Sequence, residues 1–240
     1  MYNNTKDMNQ LPLFIPIVFV FSIGLAMFIF FKALGRFSRF FYILTGWLLI
    51  QGILGLSGFY QAHGGSMPRF LLLILPPLIF IGFVNTTSGG RNLAGQPDLK
   101  WLTLLHTLRV PVEGVLFWLF IHRAVPQIMT FEGRNPDILA GLSAPFIYYF
   151  GFIKNRLSLS IILAWNLISL GLLLNIVLIA VLSMPFSIQQ FGFGQPDIAL
   201  FYFPFIWLPG CLVPLVLFAH LYSIRQLLTR RITDVKNQIL

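Results

Sequence analysis

The feature that most constrains this chain is a series of long apolar runs separated by short polar or basic connections. A helix that crosses a bilayer needs about 20 apolar residues, because lipid leaves its backbone polar groups no outside partner. The series predicts an all-α integral membrane protein with a single domain over residues 1–240 and seven transmembrane helices. The seven predicted spans are Leu11–Phe31, Phe41–Tyr60, Phe70–Val84, Trp101–Ile121, Ile138–Ile153, Leu159–Leu182 and Leu200–Tyr222.

Composition agrees with lipid as the main partner of this chain. Hydrophobic residues make up 57% of it and charged residues only 10%, against about 25% charged residues in a typical soluble domain. The formal net charge is +9, but the basic residues lie between the apolar runs and form no separate basic domain, so nucleic-acid binding is not indicated. The predicted location is therefore the cell membrane, as a multi-pass protein.

The distribution of Lys and Arg predicts the orientation. Basic residues concentrate in cytoplasmic connections of membrane proteins. One set of connections and helix ends carries eleven of them: Lys32, Arg36, Arg39, Arg91, Lys100, Lys154, Arg156, Arg225, Arg230, Arg231 and Lys236. The alternate set carries four: Lys6, Arg69, Arg123 and Arg134. This bias predicts an amino terminus outside and a carboxyl terminus in the cytoplasm.

Proline positions predict bends in three of the helices. A proline inside a helix lacks the backbone donor for the carbonyl four residues earlier and disrupts the turn there. The third run contains Pro76 and Pro77, the fourth contains Pro111, and the seventh contains Pro204, Pro209 and Pro214. Helices 3, 4 and 7 are therefore predicted to be kinked.

The fourth run contains the most informative polar residues. Ionisable side chains inside a membrane span are costly, and they mark a functional site or an internal pair. Arg109 and Glu113 lie near the middle of the run, and helical geometry places His106 on the same face. Two interpretations remain open: a ligand-binding face, or a buried pair between Arg109 and Glu113 that serves only packing.

Further candidates for the same site follow from their depth in the predicted topology. Gln51 lies near the middle of the second run, while Tyr148, Tyr149, Asn166 and His220 lie in the cytoplasmic half. Together with the three polar residues of the fourth run, they are predicted to line a ligand-binding site. For Gln51 and Asn166, hydrogen bonding between helices is the simpler interpretation.

Three aspartates follow prolines directly before apolar runs. Asp98, Asp137 and Asp197 occupy these positions, where a carboxylate can accept hydrogen bonds from the free amides of a helix amino terminus. All three are predicted to cap helices, with no role in ligand binding.

These observations favour a non-enzymatic protein that binds or translocates a small solute, ion or lipid through the polar site of the fourth helix. The first alternative is a redox protein that holds haem or a metal with His106 and His220. The second is a scaffold subunit of a membrane complex or an oligomer. The chain has no HExxH, GxSxG or phosphate-loop motif, and its only cysteine is Cys211.

Overall fold

The computed structural model describes Met8 and residues 10–35, 39–61 and 67–239, and all regular structure in these ranges is helical. Short 3₁₀ turns lie at His106–Leu108, Gln127–Met129 and Ala199–Phe201, and π turns at Tyr149–Ile153 and Leu208–Leu212. The α-helices are α1 (Phe14–Leu34), α2 (Arg39–Leu56), α3 (Met67–Thr86), α4 (Ser88–Ala94), α5 (Leu99–Leu105), α6 (Arg109–Ile121), α7 (Ile138–Tyr148), α8 (Leu159–Ser183) and α9 (Val213–Ile239). Lys6 and Arg36, which contribute to the predicted orientation, lie outside the described residues.

Within the described ranges, six helical stretches are long and apolar enough to cross a membrane by length and composition. They confirm the all-helical, membrane-like character predicted from the apolar runs. The fifth predicted span corresponds to a shorter apolar helix, so the count of seven and the orientation stay predictions. The six stretches are Phe14–Leu34, Arg39–Leu56, Arg69–Thr86, Leu99–Ile121, Leu159–Ser183 and Leu208–Arg230.

The fourth predicted span is a continuous rod built from α5, a 3₁₀ turn and α6. The turn at His106–Leu108 precedes Pro111, which lies in the first turn of α6. A proline is tolerated there because the amides of a first helical turn need no partner within that turn. The kinks predicted for helices 3, 4 and 7 stay predictions.

The last predicted span begins later than expected. Its helical part starts at the π turn Leu208–Leu212 and continues through α9, whereas the predicted span began at Leu200. Pro204 and Pro209 offer no backbone donor, which accounts for the late start of the regular helix. The carbonyl of Gly210 in the π turn accepts a hydrogen bond of 2.8 Å from the indole Nε1 of Trp47.

Helix α7 is too short to cross a bilayer by itself. It has 11 residues followed by a π turn of 5, or about 24 Å at 1.5 Å per residue, against about 30 Å of hydrocarbon. A Cβ at Gly141 would lie 3.0 Å from the backbone nitrogen of Val110, and one at Gly151 would lie 3.1 Å from Ile162. Helix α7 thus begins beside the middle of the α5–α6 rod and ends beside the start of α8.

The connection between α6 and α7 folds into the bundle, which explains the interior start of α7. Val125, Thr130 and Asn135 are buried. The side-chain amide of Asn175 on α8 donates to the carbonyl of Arg134 at 2.9 Å, and the carbonyl of Ala124 accepts from the amide of Ile198 at 3.1 Å. Residues 122–137 are therefore held on both sides by other parts of the chain.

The three predicted aspartate caps have different outcomes. Asp98 caps α5, where its Oδ1 accepts from the amide of Lys100 at 3.0 Å. Asp137 precedes α7 but makes no capping hydrogen bond with its side chain, so that prediction is wrong. Its carboxylate is instead used in the polar network described below. Asp197 lies before a 3₁₀ turn rather than an α-helix, and neither oxygen of its carboxylate has a hydrogen-bond partner among the described residues, although the amide of Leu200 lies nearby.

Replacing Asp197 with Asn is expected to stabilise the protein at neutral pH. Asp197 is fully buried in the connection between α8 and α9, and burial raises its pKa well above the usual range despite the Leu200 amide. Such a carboxyl weakens the fold as pH rises above about 4, where an unfolded aspartate ionises. We expect Asp197→Asn to gain about 1 kcal/mol at pH 7 and nothing near pH 4.

The gain is measured as the difference in melting temperature between Asp197→Asn and the wild type in detergent. This difference is compared between pH 7 and pH 4. Asp98→Asn is the matched control, because Asp98 is exposed and asparagine can cap the helix in its place. A gain for Asp197→Asn that is equal at both pH values would show that ionisation of Asp197 does not weaken the fold.

Candidate functional site

A cavity of about 330 Å³ lies between α3, α6, α8 and the π turn that leads into α9. Its wall is apolar except at Arg109, Glu113 and Asp137. Ligand sites in proteins are commonly apolar pockets of about 300–1,000 Å³ with a few convergent polar groups. The cavity has this character and contains two of the three polar residues that the sequence singled out in the fourth helix.

The cavity is open between α3 and α8. Leu78 on α3 and Leu174 on α8 both line it, and these side chains are 38% and 53% exposed. The same sides of α3 and α8 carry further exposed apolar residues two turns away, Leu71 and Leu167. In a membrane, this opening would face the lipid chains.

Arg109 connects four segments of the chain. Its side chain is buried, and its Nη1 donates to Asp137 Oδ1 at 2.8 Å and to the carbonyl of Ser169 at 3.1 Å. Its Nη2 lies 2.7 Å from His220 Nε2. The Arg109–Glu113 pair considered as the packing interpretation is wrong, because Asp137 takes the place of Glu113 as the ion-pair partner.

The hydrogen bonds of His220 define its tautomer. A guanidinium only donates, so Nε2 of His220 must accept from Arg109. Its Nδ1 then carries the proton and donates to Asn166 Oδ1 over 3.1 Å, while the Asn166 amide donates to the carbonyl of Ile162 at 3.0 Å. Both ring nitrogens of His220 are therefore used by the protein.

His106 packs face to face on His220. The ring centroids are 3.9 Å apart with an interplanar angle of 20°, and Trp165 lies against the His106 ring at 5.4 Å. The two axial histidines of a haem lie on opposite sides of the iron, and each directs a ring nitrogen at it. Two rings that stack directly on each other do not have this arrangement. Within the described residues, no group of three or more His, Cys, Asp or Glu is placed to hold a metal ion.

Glu113 is held by Asn135 at the edge of the cavity. The Asn135 amide donates to Glu113 Oε1 at 2.5 Å and to the carbonyl of Met129 at 2.9 Å, and its Oδ1 accepts from the amide of Asp137 at 3.2 Å. Glu113 is only 2% exposed. Its second oxygen, Oε2, has no hydrogen-bond partner in the described part of the chain, and neither has Nε of Arg109.

The structure brings together five of the eight predicted site residues and leaves three elsewhere. His106, Arg109, Glu113, Asn166 and His220 belong to the network described above. Gln51 instead accepts a hydrogen bond of 2.6 Å from Tyr60. Tyr148 is half-buried, and Tyr149 is exposed with Lys154 over its ring at 5.7 Å.

Asn135, Asp137 and Ser169 are members of the network that sequence reasoning missed. Asn135 and Asp137 lie in a predicted outer connection, where polar residues are ordinary, so their position carried no signal of burial. Ser169 contributes its backbone carbonyl, which no sequence pattern marks. Only the inward path of residues 122–137 explains why these groups meet Arg109 and Glu113.

The fold and the site define a class of protein: an all-helical, membrane-like bundle with an ionisable network at one end of an apolar cavity. No family model, curated protein or solved structure matches the chain.

Proposed function

We propose that the chain crosses the membrane seven times with its amino terminus outside. The fifth of these crossings combines α7 with the inward part of residues 122–137, which together cover the depth that α7 alone does not. The bias of eleven basic residues against four supports the orientation. The contact of Arg225 with the carbonyl of Asn85, at 2.9 Å, brings two predicted cytoplasmic ends together.

We further propose that the protein binds a small lipid-like molecule taken from the bilayer. The observation that carries this proposal is the apolar cavity, open between α3 and α8 and bounded by Arg109, Glu113 and Asp137. At ~30 Å³ for a group the size of water or methylene, about 330 Å³ accommodates a chain of roughly ten carbons. A polar head would lie beside Glu113, and the chain would extend towards the lipid.

Binding is a better-supported function than translocation. Arg109 joins α6, the start of α7, α8 and α9 at the polar end of the cavity. A molecule that passed beyond this point would have to separate a buried ion pair, which costs several kcal/mol. The cavity therefore serves as a binding site with its entrance on the lipid side.

Filling the cavity is expected to abolish binding. Ala180 on α8 lines the cavity, and a tryptophan there would occupy the space of the ligand chain. We expect Ala180→Trp to weaken the binding of decanol at least tenfold, measured as the ligand-dependent rise in melting temperature of the protein in lipid nanodiscs.

The control for this experiment is Leu178→Trp on the same helix. Leu178 points outward and is 59% exposed, so this variant changes the lipid-facing surface and leaves the cavity unfilled. Decanol binding by Ala180→Trp that matches binding by Leu178→Trp would contradict the proposed function.

A further inference from the structure

We propose that the ligand of this cavity is a lipophilic amine whose ammonium group donates to Oε2 of Glu113. This inference rests on the proposed function, because it assigns the head group of the molecule bound in the same cavity. Three features of the cavity support it: the existing contacts of Arg109, the hydrogen bonds that hold Glu113, and the balance of charge along the cavity wall.

The guanidinium of Arg109 already binds other parts of the protein. Its two terminal nitrogens are used by Asp137, the Ser169 carbonyl and His220. An anionic head group would have to displace Asp137 from a contact of 2.8 Å and leave that carboxylate buried without its partner. Three of its five N–H donors are used in these contacts, and Nε has no partner among the described residues. An anion would therefore meet a guanidinium whose charge Asp137 already balances.

Glu113 is a fixed acceptor with one oxygen free. Asn135 holds Oε1 and is itself held by the Met129 carbonyl and the Asp137 amide. This support orients Oε2, which lies on a residue that lines the cavity and has no partner among the described residues. A buried carboxylate without a cationic partner is costly, and a bound ammonium offsets that cost by an ion pair and a charge-assisted hydrogen bond.

The charge balance of the cavity favours a cation. Its wall contains one guanidinium and two carboxyl groups, from Arg109, Glu113 and Asp137, and its other residues are apolar. Asp137 balances Arg109 in an ion pair, so no cationic side chain along the wall is left to pair with Glu113 when its carboxyl ionises. A monovalent cationic head makes the polar end of the cavity electrically neutral.

The test compares three molecules with the same ten-carbon chain and different heads: decylammonium, decanol and decyl sulfate. Each is titrated at pH 7 into the full chain in nanodiscs of zwitterionic lipid, with empty nanodiscs as the background for partitioning. The readout is the ligand-dependent rise in melting temperature, converted to an apparent Kd. We expect decylammonium to bind at least tenfold more tightly than decanol and decyl sulfate to bind most weakly.

Glu113→Gln tests the assignment of the head group. Glutamine keeps the shape and an acceptor for Asn135 but removes the charge, so decylammonium should fall to within about twofold of decanol while decanol itself is unchanged. Glu132→Gln is the matched control, because Glu132 is exposed outside the cavity. This variant should retain the full preference for the amine.

The outcomes separate the two proposals. Equal binding of all three molecules, or tightest binding of decyl sulfate, overturns the inference about the head group and leaves the lipid-binding cavity standing. A preference for the amine that survives in Glu113→Gln also overturns the assignment to Glu113. If none of the three molecules binds, the proposed function itself fails.

Discussion

Replacing Arg109 with Met is expected to destabilise the protein by about 3–5 kcal/mol. Met has a similar length and is apolar, so the change removes the charge and the hydrogen bonds without leaving a large hole. It leaves Asp137 buried without its cationic partner and removes the donor to His220 Nε2. The loss comes mainly from the groups left behind, because a buried carboxylate without a partner costs more than the ion pair contributes.

A double-mutant cycle isolates the ion pair from the rest of the network. Asp137→Asn removes the partner charge, and the combination with Arg109→Met leaves neither charge unmatched within the pair. We expect the double variant to be more stable than the sum of the two single changes predicts, by about 1–3 kcal/mol. The measurement is the free energy of unfolding in mixed detergent micelles, followed by tryptophan fluorescence.

Arg134→Met is the matched control for this cycle. Arg134 is exposed, and its contact with α8 uses the backbone carbonyl, which the substitution keeps. Its effect should stay within about 0.5 kcal/mol, as is usual for surface positions. If Arg109→Met were as stable as Arg134→Met, the network would not hold α7, α8 and α9 together as the structure indicates.

The membrane-like helices were predictable because lipid acts on each stretch of sequence separately. A run such as Leu159–Leu182 must be helical in hydrocarbon whatever its neighbours are, and α8 extends over Leu159–Ser183. That Arg109 has partners inside the bundle was predictable for a similar reason, since an ionisable residue in the middle of an apolar run requires one. These are local properties, and local properties can be derived from one sequence.

The partners of Arg109 were only partly predictable, because they depend on how the helices pack. His220 and Asn166 were selected by depth, and the structure places both beside Arg109. Tyr149 was selected by the same criterion and points outward. The depth of a residue in the membrane gives its level in the bundle but not its direction around the helix axis. Selection by depth therefore includes residues that point into the bundle and residues that point outward.

The case of Asp137 shows a second limit. The pattern of Pro followed by Asp before an apolar run is the same at positions 98 and 137, yet only Asp98 caps its helix. The difference is that α7 begins inside the bundle, where Asp137 meets Arg109. A buried guanidinium forms a stronger, charge-assisted hydrogen bond with the carboxylate than the free amides of a helix do. The sequence pattern around Asp137 does not reveal this partner, because Arg109 is distant from it in the chain.

The close approach of α7 to α6 at Gly141 gives the second large expected effect. A Cβ on Gly141 would lie 2.9 Å from Cγ2 of Val110, 3.0 Å from its backbone nitrogen and 3.1 Å from Cβ of Arg109. The backbone nitrogen cannot move aside as a flexible side chain could. Gly141→Ala should therefore push α7 away from α6 and cost about 1–3 kcal/mol, although alanine is the better helix former.

Gly171→Ala on α8 separates this steric effect from helix propensity. Gly171 also lies inside a long helix, but nothing lies within 4 Å of the position that its Cβ would take. This variant should be neutral or up to ~1 kcal/mol more stable than the wild type. Equal stability of Gly141→Ala and Gly171→Ala in the same unfolding measurement would show that α7 does not rest on α6 at this point.

The cost of Gly141→Ala should also depend on Asp137. Moving α7 carries Asp137, one turn earlier on the chain, away from Arg109, so part of the cost is a weakened ion pair. In an Asp137→Asn background that part is already lost, and we expect Gly141→Ala to cost less there, by at least 0.5 kcal/mol for such coupled neighbours. Full additivity would mean that the steric effect ends at Val110 and that the position of α7 does not control the polar end of the cavity.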